Sequence, residues 1–155
     1  MFYFHILNSQ IISKGQSKVL NADNIEIAEE VYNNSDKYIY RDGEVVLDPD
    51  YEAKQEQKER ERIAQLYLTR ADVERGIYKA KGMDFDDIIA FVTANQPQGL
   101  DIKALKIELK ANHFYRGNSY VSAIGKLLGF SEEQLDKFFE TNDYKDLTNE
   151  VIYDL

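Results

Sequence analysis

From Thr69 onward the chain punctuates itself into short helices, and this constrains its fold more than any other feature. The first N–H groups of a helix have no intrahelical partners, so Ser, Thr, Asp or Asn ahead of an apolar run marks a start and glycine marks a stop. Thr69-Arg-Ala-Asp72 has the form of a capping box with Asp in place of Glu, predicting a helix to about Ala80 that Gly82 stops. Asp84 caps a second, with Phe85, Ile88, Ile89 and Val92 on one face, broken at NQPQG. Asp101 opens a third, with Ile102, Leu105 and Leu109 on one side and Lys103, Lys106 and Lys110 on the other. Asn118 or Ser119 starts a fourth, carrying Val121, Ile124, Leu127 and Leu128 and ended by Gly129. Ser131-Glu-Glu-Gln134 is a capping box for a fifth that buries Leu135, Phe138 and Phe139. These agreeing signals predict an antiparallel helical bundle over residues 69–155.

The first 47 residues follow a different period. FYFHIL and IIS, separated by Asn8 and Ser9, suit two short strands, and KYIY and EVVL flank Arg41-Asp42-Gly43, where glycine accepts positive φ at little cost. A short helix over roughly 28–34 lies between the pairs. Residues 1–47 are therefore expected to form a small β-rich module. Residues 48–68 are expected to form a connecting helix, with Asp48 as N-cap and Pro49 in its first turn. From Glu52 to Arg62 that helix is almost wholly polar and has no a/d heptad; Glu56 with Arg60 and Glu59 with Arg62 are its favourable pairs. The expected class is α+β: hairpins, a linking helix, then about five short helices.

Charge then removes function classes. The net charge is −9, and both halves are acidic: −5 over residues 1–68 and −4 over 69–155. Neutralising a phosphate backbone requires clustered lysine and arginine, so direct nucleic-acid binding is not expected. One local exception stands out. Residues 101–126 carry a basic surplus of three, and residues 127–155 an acidic surplus of six. The acidic face comprises Glu132, Glu133, Asp136, Glu140, Asp143 and Asp146, within a run that extends to Asp154. There are no cysteines, which excludes disulfides, thiol catalysis and thiolate zinc sites. MFYFHILNSQ lacks the basic start and long apolar run of a signal peptide, and the apolar run at IIAFV is too short to span a bilayer. A soluble protein of the cytoplasm, with no membrane role, is the expectation.

Candidate chemistry is sparse. His5 and His113 lack HxxxH or ExxH spacing, and Asp84, Asp86 and Asp87 suit a helix cap and its dipole better than a magnesium site. No nucleophile elbow, phosphate loop or dinucleotide fingerprint occurs. The expectation is no catalytic residue, no metal and no cofactor. Eleven tyrosines are the remaining peculiarity, since tyrosine suits both half-buried core positions and interfaces. In ANHFYRGNSY, residues 111–120, Asn112, Gly117 and Asn118 have the types needed for a C-cap, a turn and an N-cap, so the stretch is first of all a joint between helices. Phe114 and Tyr115 would pack beneath it. Lys110, His113, Arg116 and Tyr120 then form the exposed aromatic and cationic set expected to meet a partner.

The stretches DGEVVLDPDYEAKQEQKERERIAQL, LTRADVERGIYKAKGMDFDDIIAFV and LDIKALKIELKANHFYRGNSYVSAIGKLLGFSEEQLDKFFETNDY resemble small proteins encoded in the tail regions of phages and prophages of anaerobic and Gram-positive-type bacteria. The resemblance covers most of residues 36–147 and carries no catalytic motif. It implies a non-enzymatic phage protein of the tail or tail-assembly kind, in the host cytoplasm or on the virion, whose partner is a phage structural protein or a bacterial host protein. The alternative is a host-defence antagonist of the anti-CRISPR type, whose acidic surface takes the place of nucleic-acid phosphates.

Overall fold

A computed structural model describes residues 1–148, which divide into two compact units, one of Met1–Gln57 and one beginning at Lys58. The architecture is α+β, with small antiparallel sheets and short helices.

In the first unit, β1 (Phe2–Leu7) is the central strand of a sheet in the order β2-β1-β3, with β2 at Gln10–Gly15 and β3 at Asp23–Ile27. Asn8 and Ser9 both take left-handed backbone, with φ of 51° and 61°, the conformation of a tight two-residue hairpin turn. Tyr3, Phe4, His5 and Ile6 are buried in succession, because the central strand is covered on both faces. The strand β3 is an addition to the sequence expectation. α1 (Glu29–Asn33) falls within the stretch assigned to a helix, and β4 (Tyr38–Arg41) pairs with β5 (Glu44–Leu47) about Asp42-Gly43, as the Asp-Gly signal indicates.

The linking helix α2 is Tyr51–Ala64, so it starts later than an Asp48 cap would place it. Asp48 is buried instead. Its carboxylate accepts the Asp50 N–H at 3.0 Å and the Lys54 ammonium at 2.6 Å, closing a turn around Pro49 ahead of the helix. Arg62 pairs with Glu59 at 2.7 Å, as expected, and with Glu140 at 3.1 Å.

The second unit carries α3 (Arg70–Lys81), α4 (Phe85–Asn95), α5 (Ile102–Glu108), α6 (Ser119–Leu127), α7 (Glu132–Thr141) and α8 (Lys145–Thr148). Thr69, Asp84, Asp101, Asn118 and Ser131 each accept an N–H from the first turn of the helix they cap, with full capping boxes at Asp84 and Ser131. Gly82 takes left-handed backbone at the end of α3. Phe85, Ile88, Val92, Leu105, Phe114, Phe138 and Phe139 lie within one contiguous buried cluster. Two glycines let helices meet closely: a Cβ on Gly76 would stand 2.3 Å from the Phe138 ring, and one on Gly125 would stand 2.5 Å from Leu135. This unit is not wholly helical. β6 (Tyr67–Thr69) and β7 (His113–Tyr115) form a short antiparallel ribbon, with Leu68 opposite Phe114, where the sequence suggested only a joint.

Candidate functional site

The ribbon divides its side chains between two environments because successive residues of a strand point to opposite faces. Leu68 and Phe114 turn inward, and Phe114 meets the Phe85 ring edge-to-face at 5.8 Å. Tyr67, His113 and Tyr115 turn outward and touch one another. Ring centroids are 5.5 Å apart for Tyr67 and His113, 5.7 Å for Tyr67 and Tyr115, and 5.3 Å for His113 and Tyr115, with the rings tilted by 53–75°. Tyr67 is 60% exposed and Tyr115 48%. Large aromatic side chains held at the surface by a buried partner row are characteristic of contact sites. Backbone bonds hold the ribbon in place: Arg70 N–H donates to the Asn112 carbonyl at 2.9 Å and Arg116 N–H to the Leu66 carbonyl at 2.8 Å.

The expected contact set is redistributed. Lys110 and His113 are exposed, and Tyr120 is half-buried against the core. Arg116 is a correction: it is only 6% exposed and is no surface cation. Its guanidinium donates to the Ser122 hydroxyl at 3.0 Å, to the Glu132 carbonyl at 3.2 Å and to the Glu132 carboxylate. Nε stands 2.7 Å from Asp136 Oδ1, yet off the direction of its N–H, so that contact is a charge pairing without a hydrogen bond. The Arg116 hydrogen bond holds the Glu132 carboxyl below its ordinary range, overcoming the opposing cost of partial burial. Arg116 is thus a clamp joining the end of β7 to α6 and α7. Phe114 packs inward as expected, whereas Tyr115 faces out.

The acidic face is correspondingly reduced. Glu132 and Asp136 are balanced by Arg116 and Glu140 by Arg62, while Glu133 stands 3.8 Å from Lys137. Asp143 accepts the Lys145 N–H at 3.0 Å, and Asp146 accepts the Thr141 hydroxyl. Asp154 lies outside the described residues.

Compared with protein-family models, curated proteins and solved structures, the chain matches none of them.

The other histidine and the Asp84–Asp87 pair have structural partners. His5 is buried, with Nδ1 2.7 Å from the Ser13 hydroxyl and Nε2 2.9 Å from the Ser17 carbonyl. Asp84 and Asp87 exchange the two bonds of a capping box at 2.8 and 3.0 Å, and among the described residues no three His, Asp or Glu side chains are placed to share a metal ion. A cavity of about 30 Å³ is lined mainly by apolar side chains, among them Val73, Phe85 and Phe138. No helix among the described residues is long and apolar enough to cross a membrane.

Proposed function

We propose that this chain is a protein-binding component of a phage or prophage, tail-associated or acting in tail assembly, with no catalysis of its own. The observation that carries the binding reading is the outward cluster of Tyr67, His113 and Tyr115 on a ribbon anchored through Leu68 and Phe114. A rigid aromatic surface loses little side-chain freedom when a partner covers it. The phage context is supported by the resemblance of the stretches within residues 36–147. Purification of particles from cells producing the phage tests the reading. Co-purification with virions or tail intermediates, or failure of tail formation on deletion of the gene, is the expected result. Absence from particles together with normal particle yield on deletion overturns it.

The defence-antagonist alternative draws on the net charge of −9 and on the Met1–Gln57 unit, where eleven acidic side chains face five basic ones. Plating phage on CRISPR-active hosts with and without the gene separates the two: protection that requires the gene favours the antagonist.

A further inference from the structure

A row of cations precedes the aromatic ribbon strand β7 in the chain. On α5 and the turn that follows it, Leu105 and Leu109 point into the core, which leaves Lys103, Lys106, Ile107 and Lys110 on the outward stripe at helical spacings of three, four and seven. Ile107 is 69% exposed. The Lys110 N–H bonds to the Ile107 carbonyl at 3.1 Å, so the helical turn holds through Lys110, and three residues later the chain is at His113 in β7. None of the three lysines enters an ion pair among the described residues, although the chain carries 28 acidic side chains. Arg116, by contrast, is consumed by Glu132 and Asp136. Unpaired lysines and an exposed Ile107 on the outward stripe of α5, joined through one short turn to the exposed aromatic ribbon, give an otherwise acidic molecule cationic and apolar side chains that have no complement among the described residues.

We infer that this face, Lys103, Lys106, Ile107 and Lys110 with Tyr67, His113 and Tyr115, docks an acidic protein segment with large apolar side chains set among its carboxylates. The inference rests on the protein-binding reading above and gives that partner its chemistry. Carboxylates complement the lysine row, and the apolar side chains complement Ile107 and the tyrosines. A single strand of nucleic acid is the competing ligand for lysine beside aromatic rings, and ring geometry argues against it. Base stacking needs open ring faces. Here the three rings lean on one another at 53–75°, and their mutual contacts occupy part of those faces.

The test is an NMR titration of the full-length, nitrogen-15-labelled protein with the synthetic peptide EFEELEFE, with the charge-reversed KFKKLKFK and a short oligo-dT strand as comparisons. The expected result is amide shifts confined to residues 103–115 and 67–69 with EFEELEFE alone, weakening as salt screens the charges. Affinity should fall about tenfold or more in the Lys103→Glu/Lys106→Glu/Lys110→Glu variant and in Tyr67→Ser/Tyr115→Ser. Core amide peaks report that each variant is folded, and competition by unlabelled EFEELEFE on the unaltered protein gives the same answer without mutation. No shift with EFEELEFE, equal response to KFKKLKFK, undiminished binding by both variants, or stronger shifts at this face with oligo-dT each overturns the inference. These outcomes do not depend on whether the protein accompanies virions, so the phage reading stands or falls separately.

Discussion

The two units solve the same problem with unequal means. The unit beginning at Lys58 gathers fifteen buried apolar side chains into one cluster. The Met1–Gln57 unit buries Tyr3, Phe4 and Ile6 and, beside them, two polar residues, His5 and Asp48. Where apolar burial is extensive, individual polar contacts are a small share of stability. Where it is scant, each buried polar group must be fully bonded, as His5 is by Ser13 and Ser17 and Asp48 by Asp50 and Lys54, because an unsatisfied one costs about 1–3 kcal/mol. The first unit is therefore held by specific bonds, the second by volume.

Cutting the chain tests this contrast most severely. A fragment of residues 58–155 is expected to fold alone, with helical circular dichroism and a cooperative urea transition, whereas residues 1–57 alone should remain largely unfolded, since a chain that short with only Tyr3, Phe4 and Ile6 as buried apolar side chains is marginal in water. The reverse outcome, an unfolded 58–155 fragment, would end the claim that the larger core is self-sufficient.

Within that core, Phe138→Ala should have the largest effect of any single substitution described here. The ring is almost fully buried, meets Phe139 edge-to-face at 5.9 Å and fills the space over Gly76, so its loss should cost about 3–5 kcal/mol by denaturant titration. Gly76→Ala attacks the same contact from the other side. With its Cβ 2.3 Å from the ring, a cost of about 1–3 kcal/mol from overpacking is expected.

What was legible in the sequence follows the range of the interaction. The starts of α3 to α7 are each set within four residues, by Thr69, Asp84, Asp101, Asn118 or Ser131, and each is visible in the sequence as a cap beside an apolar period, whereas the short α8 is an addition to the expected five helices. Both hairpin turns, Asn8-Ser9 and Asp42-Gly43, were visible for the same reason. The ribbon was not, because Leu68 and Phe114 pair across about half the length of the unit and each strand contributes one inward side chain, too few to show a period of two. β3 was missed in an Asp- and Asn-rich stretch whose only strand signal is Ile25 and Ile27 in alternation. The burial of Arg116 depends on Glu132 and Asp136, one helical turn apart on α7; that spacing is the available sign, although in the sequence alone the same two residues read as part of a solvent-facing acidic surface.

Arg116→Met removes a polar clamp from the unit that depends least on polar bonds. Loss of its three side-chain hydrogen bonds should cost about 2 kcal/mol, less than Phe138→Ala, because the Glu132 and Asp136 carboxylates left behind still reach solvent. The substitution should also alter the pH profile. Glu132 is held below its ordinary value of 4.5, chiefly by the Arg116 hydrogen bond, so its stabilising contribution is complete above about pH 4.5 and is lost as pH falls through the lowered folded value. The variant should lose less stability than the unaltered protein on acidification below pH 4.5. Equal acid sensitivity in both would show that the pairing contributes nothing to folding.

The smallest expected effect lies in the first unit and has the opposite sign. Ser9 occupies left-handed backbone at φ 61°, beside Asn8 at φ 51°, in the two-residue turn that joins β1 to β2. Such a turn favours Asn-Gly, because a residue with a Cβ pays a steric cost in that conformation that glycine avoids. Ser9→Gly removes that cost but gives the unfolded chain more freedom, so the net gain should be only about 0.5 kcal/mol. In a unit with three buried apolar residues a gain of that size is a measurable fraction of the total, whereas in the second unit it would be lost among the effects of packing. Native-state hydrogen exchange resolves it: amides of β1, β2 and β3 should exchange more slowly in Ser9→Gly, while amides of α3, α4 and α7 keep their rates. Slower exchange in those helices as well would show that the two units open as one, and the contrast between specific bonds and volume would then describe two parts of a single cooperative structure.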